Sequence, residues 1–513
     1  MDIFIGVDIG TTSTKSVAFS SSGKDLFKSN IEYPLYQKVP EMAEQDPDEI
    51  FSAVIESLYQ VVAQVKVNYP EVREDDIKLV SFSSAMHSLI LLDKNYTPLT
   101  NVITWADNRS EKYVAPLKES GKGKEIFLRT GTPIHPMSPL LKLIWLKNDE
   151  KELFDKASYF VGIKEYVHYR LTGELKVDYS IASATGLFNL KNLAWDEEAL
   201  KITGVKETQL AVPVETTYQF EKLREAYAEI IGISDRVPFV IGASDGCLSN
   251  LGVNAIKPGE VALTIGTSGA VRVVIDEPRV DENERLFCYA LTKDKWVIGG
   301  PVNNGGIVFR WIRDTFYEAE KTISDSRGED VYDVMTQAAA NLPAGSEGLI
   351  CLPFLGGERA PLWDANARGT YFGLTRAHGR DHILRATLEG IVFNLYTVLQ
   401  AVEETSGKSV SIKATGGFAR SSVWRQILSD VFDREVVIPE SYESSCLGAV
   451  VLGMYGLGIV DSLEVVGDMV GVTNAHKPIS QNADVYKELY VIYKNVNELL
   501  KTQYRSIAEF QRK

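Results

Sequence analysis

Residues 5–15 read IGVDIGTTSTK, an apolar run that ends in a turn of glycine and hydroxyl side chains. With the apolar residues that follow, this segment predicts a β-hairpin whose strands cover residues 3–7 and 15–20. Residues 261–271 read VALTIGTSGAV and repeat the order of strand, Ile-Gly-Thr, small-residue turn and second strand. The two copies lie half a chain apart, whereas solenoids repeat roughly every 20–50 residues. The repeated pattern therefore predicts two related lobes. The alternative is that the two hairpins resemble each other by chance.

Both turns carry groups that bind phosphate. Glycine lets backbone N–H groups approach an anion closely, and the hydroxyls of Thr11, Thr12 and Ser13 add donors. We therefore predict that the two turns grip a triphosphate from two sides. Asp8 ends the first strand, where a carboxylate would anchor Mg²⁺ through water, and Lys15 would neutralise developing negative charge. For Asp8 the alternative is an ordinary turn aspartate.

Composition excludes several classes of protein. Of the 513 residues 45% are hydrophobic and 24% charged, which is typical of globular domains rather than disordered or fibrous chains. With 54 Lys+Arg against 69 Asp+Glu, the net charge is −15, so we expect neither nucleic acid nor a membrane surface as partner. The first residues lack the basic stretch and cleavage site of a secretory signal, so we expect a cytoplasmic protein.

The cysteines and the longest uncharged run have ordinary structural interpretations. No two cysteines form a Cys-x-x-Cys pair, so we predict buried thiols rather than a zinc site or a disulfide scaffold. The uncharged residues 444–460 include four glycines and are short for a membrane span, so they predict a buried helix. The cysteines are Cys247, Cys288, Cys351 and Cys446.

Strand-like and helix-like segments alternate along the chain, which predicts the α/β class. Asp46 stands just before Pro47 and is the predicted cap of a helix over 48–67. The predicted strands cover 78–82, 89–93, 239–243 and 261–265. The later predicted helices cover 303–319, 381–405, 421–433, 446–456 and 484–511.

Other nucleotide-binding motifs are absent from the sequence. A P-loop needs G-x-x-x-x-G-K-[ST], and the Gly-Lys-Ser at residues 407–409 has Val402 where the first glycine would stand. There is no G-x-G-x-x-G fingerprint, no protein-kinase catalytic loop and no H-E-x-x-H pair. The two hairpins are therefore the best candidates for holding a nucleotide.

Five segments, in order along nearly the whole chain, resemble motifs of the FGGY family of carbohydrate kinases, within the actin-like ATPase superfamily. They are two phosphate motifs at 8–15 and 263–269, two signatures at 137–146 and 369–389, and an adenosine segment at 414–421. The resemblance implies two ribonuclease-H-like α/β lobes, roughly 1–248 and 249–513, with a cleft between them. It also implies a sugar mainly on the first lobe and ATP with Mg²⁺ mainly on the second.

The resemblance implies a general base at Asp245, in the strand-to-helix turn Gly242-Ala243-Ser244-Asp245-Gly246. A positioned carboxylate accepts the proton of a sugar hydroxyl as the bond to phosphorus forms. The alternative for Asp245 is an ordinary helix N-cap. Further residues that match the family's nucleotide-binding segments are Gly266, Thr267, Gly305, Gly306, Gly416, Gly417 and Arg420. The motif Gly356-Gly357-Glu358-Arg359-Ala360-Pro361 also resembles the family, and its role stays open between structure and cleft.

The sugar is expected to contact the segments around 84–88 and 104–110. Polar side chains would chelate vicinal hydroxyls, and a flat apolar ring would cover the C–H face. The candidates are Met86, His87, Trp105, Asp107 and Arg109. Met86-His87 resembles the xylulose and gluconate branches rather than glycerol kinases, and residues 104–110 look most like gluconate kinases. Arg109 is the candidate partner of a gluconate carboxylate.

The resemblance therefore implies phosphorylation of D-gluconate by ATP. A xylulose kinase, or another sugar or polyol kinase of the family, is the first alternative. An actin-like or chaperone-type ATPase without sugar chemistry is the second, although it would lack the sugar segment and the Asp245 turn. A regulator that binds sugar without turnover is a third, which the intact Asp8 and Asp245 disfavour. A homodimer is expected from the family alone.

Overall fold

A computed structural model describes residues 1–440 and 443–512. The chain forms two compact units rather than the contiguous lobes 1–248 and 249–513, because two later segments join the first unit. Unit 1 comprises Met1–Ile256, Val274–Ile298 and Glu443–Gly471, and unit 2 comprises Lys257–Val273, Gly299–Tyr442 and Val472–Lys513.

Strands and helices alternate through both units. The strands are β1 (Ile3–Ile9), β2 (Ser13–Ser20), β3 (Asp25–Glu32), β4 (Glu44–Gln45), β5 (Ile77–Ser84), β6 (Ile90–Leu92), β7 (Val102–Ile103), β8 (Tyr159–Val161), β9 (Lys176–Asp178), β10 (Phe188–Asn189), β11 (Ala194–Trp195), β12 (Val212–Val214), β13 (Phe239–Ser244), β14 (Glu260–Ile265), β15 (Gly269–Ile275), β16 (Phe287–Ala290), β17 (Trp296–Val302), β18 (Ile350–Leu352), β19 (Thr370–Phe372), β20 (Ser411–Thr415), β21 (Val436–Pro439) and β22 (Val472–His476). The helices are α1 (Pro47–Asn68), α2 (Val114–Glu119), α3 (Lys122–Thr130), α4 (Pro139–Asp149), α5 (Lys151–Lys156), α6 (Ile163–Thr172), α7 (Tyr179–Ser183), α8 (Glu197–Thr203), α9 (Glu225–Ile231), α10 (Asp245–Gly252), α11 (Gly306–Phe316), α12 (Glu318–Arg327), α13 (Val331–Ala340), α14 (Arg380–Ser406), α15 (Ser422–Phe432), α16 (Ser444–Gly456), α17 (Val466–Met469) and α18 (Ser480–Gln511). Short 3-10 helices cover Glu74–Asp76, Glu111–Tyr113, Glu207–Gln209, Ser346–Gly348, Gly417–Arg420 and Leu463–Val465.

The main sheet of unit 1 has the strand order β3-β2-β1-β5-β13. β1 pairs antiparallel with β2 and parallel with β5, and β5 pairs parallel with β13. In unit 2 the hydrogen-bonded strands run β17-β15-β14-β20-β21-β22. β14 pairs antiparallel with β15 and parallel with β20, which pairs parallel with β21. A hairpin followed by two parallel strands therefore occurs in each unit, which confirms the two ribonuclease-H-like folds and both predicted hairpins.

Helix α1 covers one face of the unit 1 sheet. The side chain of Asp46 accepts hydrogen bonds from the backbone N–H groups of Asp48 and Glu49, which confirms the predicted cap. Among the described residues α1 is the one helix long and apolar enough to span a bilayer. It packs on β2 and β3, and its apolar face from Ile50 to Val65 is buried. This is the place of a core helix in a folded domain.

Helix α16 confirms the predicted buried helix and brings its segment back to unit 1. It packs on β1 and β5 and crosses α10 at two glycines. A Cβ on Gly252 would lie 1.8 Å from the carbonyl oxygen of Ser444, and one on Gly448 would lie 2.1 Å from that of Leu248. Only glycine permits this approach. Because α10 begins at Asp245, the crossing fixes the helix that carries the candidate base.

The remaining predicted helices are present with small changes at their ends. α14, α15 and α18 match the predictions closely. α11 is shorter than the predicted 303–319, because Asn303 and Asn304 bind a neighbouring loop and the backbone leaves the helical conformation at Tyr317. The four cysteines are free and buried, as predicted.

Candidate active site

Three parallel strands of unit 1 end at one edge of the sheet and carry candidate residues there. Asp8 on β1 is the register partner of Ser83 on β5, and Ser83 is the register partner of Ala243 on β13. His87 follows β5, and Asp245 follows β13 directly. The carboxyl ends of parallel strands are the usual place for ligands in open α/β sheets. The predicted ion anchor and the predicted base therefore lie along the same edge.

Asp8 is a half-buried carboxylate with one hydrogen-bonded oxygen. The hydroxyl of Ser83 donates to its Oδ1 at 2.7 Å. Burial raises the pKa of Asp8, while the Ser83 hydrogen bond and the Lys15 charge oppose the shift. A nearby cation would favour the ionised form further, which is the behaviour of an ion-anchoring carboxylate.

Lys15 is already paired within unit 1. Its Nζ lies 2.8 Å from Oε2 of Glu443. Burial alone would lower the pKa of Lys15, but the Glu443 carboxylate raises it overall. Lys28 lies 3.5 Å from the other oxygen of Glu443. A phosphate at Lys15 would therefore share that ammonium with Glu443.

The β1–β2 turn is tied to the predicted sugar segment. Gly10 donates its backbone N–H to the carbonyl of Ser13 at 3.0 Å, which closes the turn. Nε1 of Trp105 donates to Oγ1 of Thr11 at 2.9 Å, and Nε2 of Gln45 donates to the Thr11 carbonyl at 2.6 Å. The indole of Trp105 is thus held at the edge of the candidate phosphate turn.

Asp107 and Arg109 form a buried ion cluster. Asp107 is 1% exposed and accepts hydrogen bonds from the backbone N–H of Ala43 and from Nε of Arg109, at 2.9 and 3.0 Å. Nη2 of Arg109 also pairs with Glu44 at 2.5 Å. The guanidinium lies 4.5 Å from the ring centroid of Trp145. The cluster holds Arg109 between two carboxylates in a fixed orientation.

His87 has a constrained backbone and a defined ring orientation. Its φ of 68° is in the left-handed region, which non-glycine residues seldom adopt. Nδ1 lies 2.7 Å from the carbonyl oxygen of Ala184. Because a carbonyl only accepts, Nδ1 is the donor in this pair. Met86 is half-buried and packs against two hydrophobic clusters of unit 1.

Lys142 joins three backbone segments next to the candidate sugar residues. It is fully buried on α4, and its Nζ donates to the carbonyls of His87, Ile103 and Met137. Three acceptors match the three N–H bonds of an ammonium group. Burial lowers the pKa of Lys142 to about 7, while the charge of Asp107 opposes the shift. The segments after β5 and β7 are therefore fixed to one side chain.

Asp245 is the first residue of α10, and Ser244 is the N-cap residue. The Asp245 carboxylate accepts a hydrogen bond from the backbone N–H of Gly246 at 2.6 Å. The turn between β13 and α10 is also fixed by hydrogen bonds from neighbouring segments. The Ser244 and Ser180 hydroxyls are 2.8 Å apart, and the buried Lys164 donates to the Ala243 carbonyl at 3.1 Å. The N-cap residue of α10 is therefore Ser244 rather than Asp245.

In unit 2 the β14–β15 turn and the start of α11 are in direct contact. The backbone N–H of Gly306 donates to the Gly266 carbonyl at 2.7 Å, and that of Ile307 donates to the Thr267 carbonyl at 3.0 Å. A Cβ on Gly305 would lie 2.6 Å from the Ser268 carbonyl oxygen. The β14–β15 turn and the N-terminus of α11 are therefore fixed to each other through their glycine backbone.

A cavity of about 290 Å³ opens beside this turn. Gly417 and Arg420 line it together with Gly266, Thr267 and Gly306, while Gly416 lies against the end of β14. Its wall includes Phe309 and Trp424, whose ring centroids are 5.2 Å apart. Unit 2 thus collects the predicted nucleotide residues around one cavity. The remaining lining residues are Ile265, Arg310, Asp330, Tyr332, Asp333, Thr336, Phe418 and Ser421.

Several residues at these sites were not predicted from the sequence. Lys142 is a lone charge in the apolar run of the first signature, and that contrast was a usable signal. Glu44 and Glu443 gave no such signal in the sequence, because each contacts its partner only in the folded chain. Phe309 and Trp424 belong to ordinary amphipathic helices, where aromatic residues usually signal core.

Comparisons with known proteins agree with this architecture. The N-terminal domain of the FGGY family of carbohydrate kinases matches residues 3–252, and the C-terminal domain of that family matches residues 261–457. The chain is 54% identical to the gluconokinase of Bacillus subtilis over 509 residues, covering 99% of this chain and 98% of that one.

Two solved structures of proteins from Lactobacillus acidophilus resemble this chain to the same degree. The gluconate kinase has a TM-score of 0.93 at 40% identity and covers 99% of both chains. The ligand-bound xylulose kinase has the same TM-score and identity, with 99% of this chain and 100% of that one covered. The chain therefore belongs to the FGGY family of carbohydrate kinases, a membership that implies ATP as co-substrate.

Proposed function

We propose that this kinase transfers the γ-phosphoryl group of ATP to D-gluconate and releases 6-phosphogluconate and ADP. The observation that carries the proposal is the 54% identity to a gluconokinase over 99% of the chain. The unit 1 side chains described above supply the polar and aromatic contacts that a sugar acid needs.

Asp245 is the proposed general base. Phosphoryl transfer leaves little covalent chemistry to the protein, so most of its task is to align the acceptor hydroxyl and accept its proton. The hydrogen bond from Gly246 N–H orients the Asp245 carboxylate at the N-terminus of α10. The close helix crossing behind α10 then limits its movement. These features support a fixed proton acceptor.

Trp105, Asp107, Arg109 and His87 are the proposed sugar contacts, with Met86 beside them. Nε and Nη2 of Arg109 are paired with carboxylates, and Nη1 makes no hydrogen bond within the described residues. Nη1 is the proposed donor to the gluconate carboxylate. His87 would accept a hydroxyl through Nε2, since Nδ1 is bonded to a carbonyl.

The proposed nucleotide contacts are the two turns and the unit 2 cavity. Thr11, Thr12, Ser13 and Lys15 would meet phosphate oxygens from unit 1. In unit 2 the contacts are the glycine-rich residues at 266–267, 305–306 and 416–417, with Arg420. The aromatic wall of the unit 2 cavity suits a flat base.

Mg²⁺ is the proposed metal, and Asp8 is its proposed anchor. No group of three or more His, Cys, Asp or Glu side chains that could hold a metal ion occurs among the described residues. Mg²⁺ fits this donor set, because it keeps several waters and binds through one or two carboxylates and the substrate phosphates. When bound it would offset the negative charge of the phosphates.

The cytoplasmic location and the homodimer remain predictions.

A coupled ADP-release assay with gluconate, xylulose, ribulose and glycerol tests the proposal. We expect the highest kcat/KM with gluconate. Xylulose is the specific competitor, because one of the two 40% identical structures is a xylulose kinase. Turnover of xylulose without turnover of gluconate would reverse the assignment. ADP release that ignores every sugar would indicate an ATPase of the wider superfamily.

A further inference from the structure

The motif at residues 356–361 contains a buried carboxylate that the proposed chemistry does not use. Glu358 is 1% exposed. Its Oε1 accepts the backbone N–H groups of Asn303 and Arg359. Its Oε2 accepts the side-chain amides of Asn304 and Asn394, at 2.9 and 2.7 Å. Each carboxylate oxygen of Glu358 therefore accepts two N–H hydrogen bonds.

A carboxylate buried in this way is costly unless hydrogen bonds replace water. Burial raises the pKa of Glu358, and the donors from Asn304, Asn303 and Arg359 oppose the shift. A group with this cost, which the proposed chemistry does not use, needs a structural reason. The identity of its donors supplies one, because two of them belong to the loop that leads into α11.

The 356–359 turn and the loop 303–304 are bound to each other at several points. Nδ2 of Asn304 also donates to the Gly357 carbonyl at 2.7 Å. Nε of Arg359 donates to Oδ1 of Asn303 at 2.7 Å. Asn394 connects the same carboxylate to the long helix α14. Glu358 therefore fixes the loop to a rigid element of unit 2.

The next residues of this loop contact the candidate phosphate turn. Gly305 has no room for a side chain beside the Ser268 carbonyl, and Gly306 N–H donates to the Gly266 carbonyl. A continuous path thus runs from α14 through Glu358 and Asn304 to Gly266. A shift of the loop would therefore move the β14–β15 turn, whose residues are proposed to meet phosphate.

We propose that Glu358 is a positioning residue for the nucleotide, which holds loop 303–306 against the β14–β15 turn so that both face the phosphates. This inference rests on the proposed nucleotide role of those residues. It assigns no contact with ATP to Glu358 itself. Loss of its charge should therefore weaken nucleotide binding and leave the sugar side unchanged.

Glu358→Gln tests this directly, because the amide keeps the shape of the side chain. Whichever way the amide faces, its NH₂ group meets two N–H donors, so two hydrogen bonds are lost. We expect the Kd for ADP and the KM for ATP to rise about tenfold, because Glu358 then holds the loop with two fewer hydrogen bonds. The KM for gluconate should stay within about twofold, since unit 1 is untouched.

Glu389→Gln is the matched control. Glu389 is 2% exposed on α14 and also accepts several donors, among them Gly345 N–H, the Ser346 hydroxyl and Nε of Arg385. It contacts none of the loop residues at 303–306. It should lower the melting temperature of the folded enzyme while leaving the Kd for ADP unchanged. A rise in Kd that is equal in both variants would reduce Glu358 to a general stability role and overturn the inference.

Asn394→Ala provides a second, milder variant in case Glu358→Gln does not fold. It removes one donor to Glu358, so we expect a rise in the Kd for ADP of about two- to threefold. An unchanged Kd in Asn394→Ala and in any folded Glu358→Gln protein would overturn the positioning role. These binding measurements do not depend on gluconate turnover. Failure of the inference is therefore distinguishable from failure of the proposed function.

Discussion

The β1–β2 turn of unit 1 and the β14–β15 turn of unit 2 share a backbone pattern but differ in charge. In each, a side chain at the end of the first strand reaches the neighbouring parallel strand. The Asp8 carboxylate meets Ser83 at 2.7 Å, whereas the Thr264 hydroxyl meets Thr415 at 3.2 Å. The first turn thus offers a formal charge, and the second offers hydroxyls and backbone N–H groups. Under the proposed function, the repeated fold would carry a cation-anchoring turn in unit 1 and an anion-holding turn in unit 2.

The two units also differ in the sign of a buried charge near the candidate site. In unit 1 a buried cation, Lys142, collects three backbone carbonyls. In unit 2 a buried anion, Glu358, collects four N–H donors. In each case the buried charge is surrounded by dipole ends of opposite sign. A buried charge can therefore fix several backbone segments of one unit, and its sign decides whether it collects carbonyls or N–H groups.

The largest expected effect concerns the base beside the charged turn. Asp245→Asn should lower kcat by up to about 10⁴-fold, because the amide cannot accept the hydroxyl proton. The Kd for ADP should stay near the wild-type value. Steady-state kinetics with gluconate and calorimetric titration with ADP measure the two quantities. Asp75→Asn, at an exposed carboxylate of the same unit, should change neither, and a fully active Asp245→Asn enzyme would refute the base assignment.

A paired substitution in the two turns tests the difference in charge. Asp8→Asn should lower kcat about 10²- to 10³-fold, because the ion anchor loses its charge. Thr264→Val, at the equivalent position of the second turn, should lower kcat only a few-fold, because it removes one hydroxyl contact. Initial rates across a Mg²⁺ titration measure both effects. Equal losses in the two variants would mean that the turns do not divide their roles in this way.

The buried cation in unit 1 is tested by Lys142→Met, which keeps much of the side-chain volume. It leaves three buried carbonyls without a donor, so the free energy of unfolding should fall by about 3 kcal/mol. The KM for gluconate should rise, because His87 and the segment after Ile103 lose their common support. Lys147→Met on the same helix breaks one half-buried hydrogen bond to Ile202 and is the control. Denaturant unfolding would contradict the account if the two variants lost the same stability.

The smallest expected effect, measured over a single pH unit, is a pH dependence of stability carried by Lys142. Its pKa is about 7 in the folded chain and lies near 10.5 in an unfolded one. Between these values the unfolded state binds more protons, so the contribution of Lys142 to stability increases as pH rises from about 7 toward 10.5. The stability difference between wild type and Lys142→Met should therefore change with pH by at most about 1.4 kcal/mol per pH unit. A stability difference that does not change between about pH 7 and pH 10.5 would mean that the pKa of Lys142 lies outside this range.

Much of the fold was predictable because its signals are local. The apolar strand, glycine turn and second strand at 5–20 need only neighbouring residues to form a hairpin. The cap at Asp46 and the apolar period of α1 likewise act within a few residues. The repeated pattern at 261–271 then indicated a second sheet. These features depend on backbone geometry and on side-chain spacing, both of which the sequence states directly.

The parts that could not be predicted depend on contacts between distant segments. The return of α16 to unit 1 is set by Gly252 and Gly448, whose close approach no local pattern announces. Lys142 and Glu358 were visible as charges inside family motifs, but their partners became evident only in the folded chain. Arg109 was expected to meet a substrate carboxylate, and its pairing with Glu44 narrows that proposed role to one nitrogen.

A crystal structure with Mn²⁺, ADP and gluconate tests the central claim most directly. The account predicts phosphate density beside Gly266 and Thr267, an anomalous Mn²⁺ peak within water-mediated reach of Asp8, and gluconate against Trp105 and Asp245. Phosphates bound elsewhere, or both turns packed without room for them, would contradict the assignment of the two hairpins as the nucleotide site.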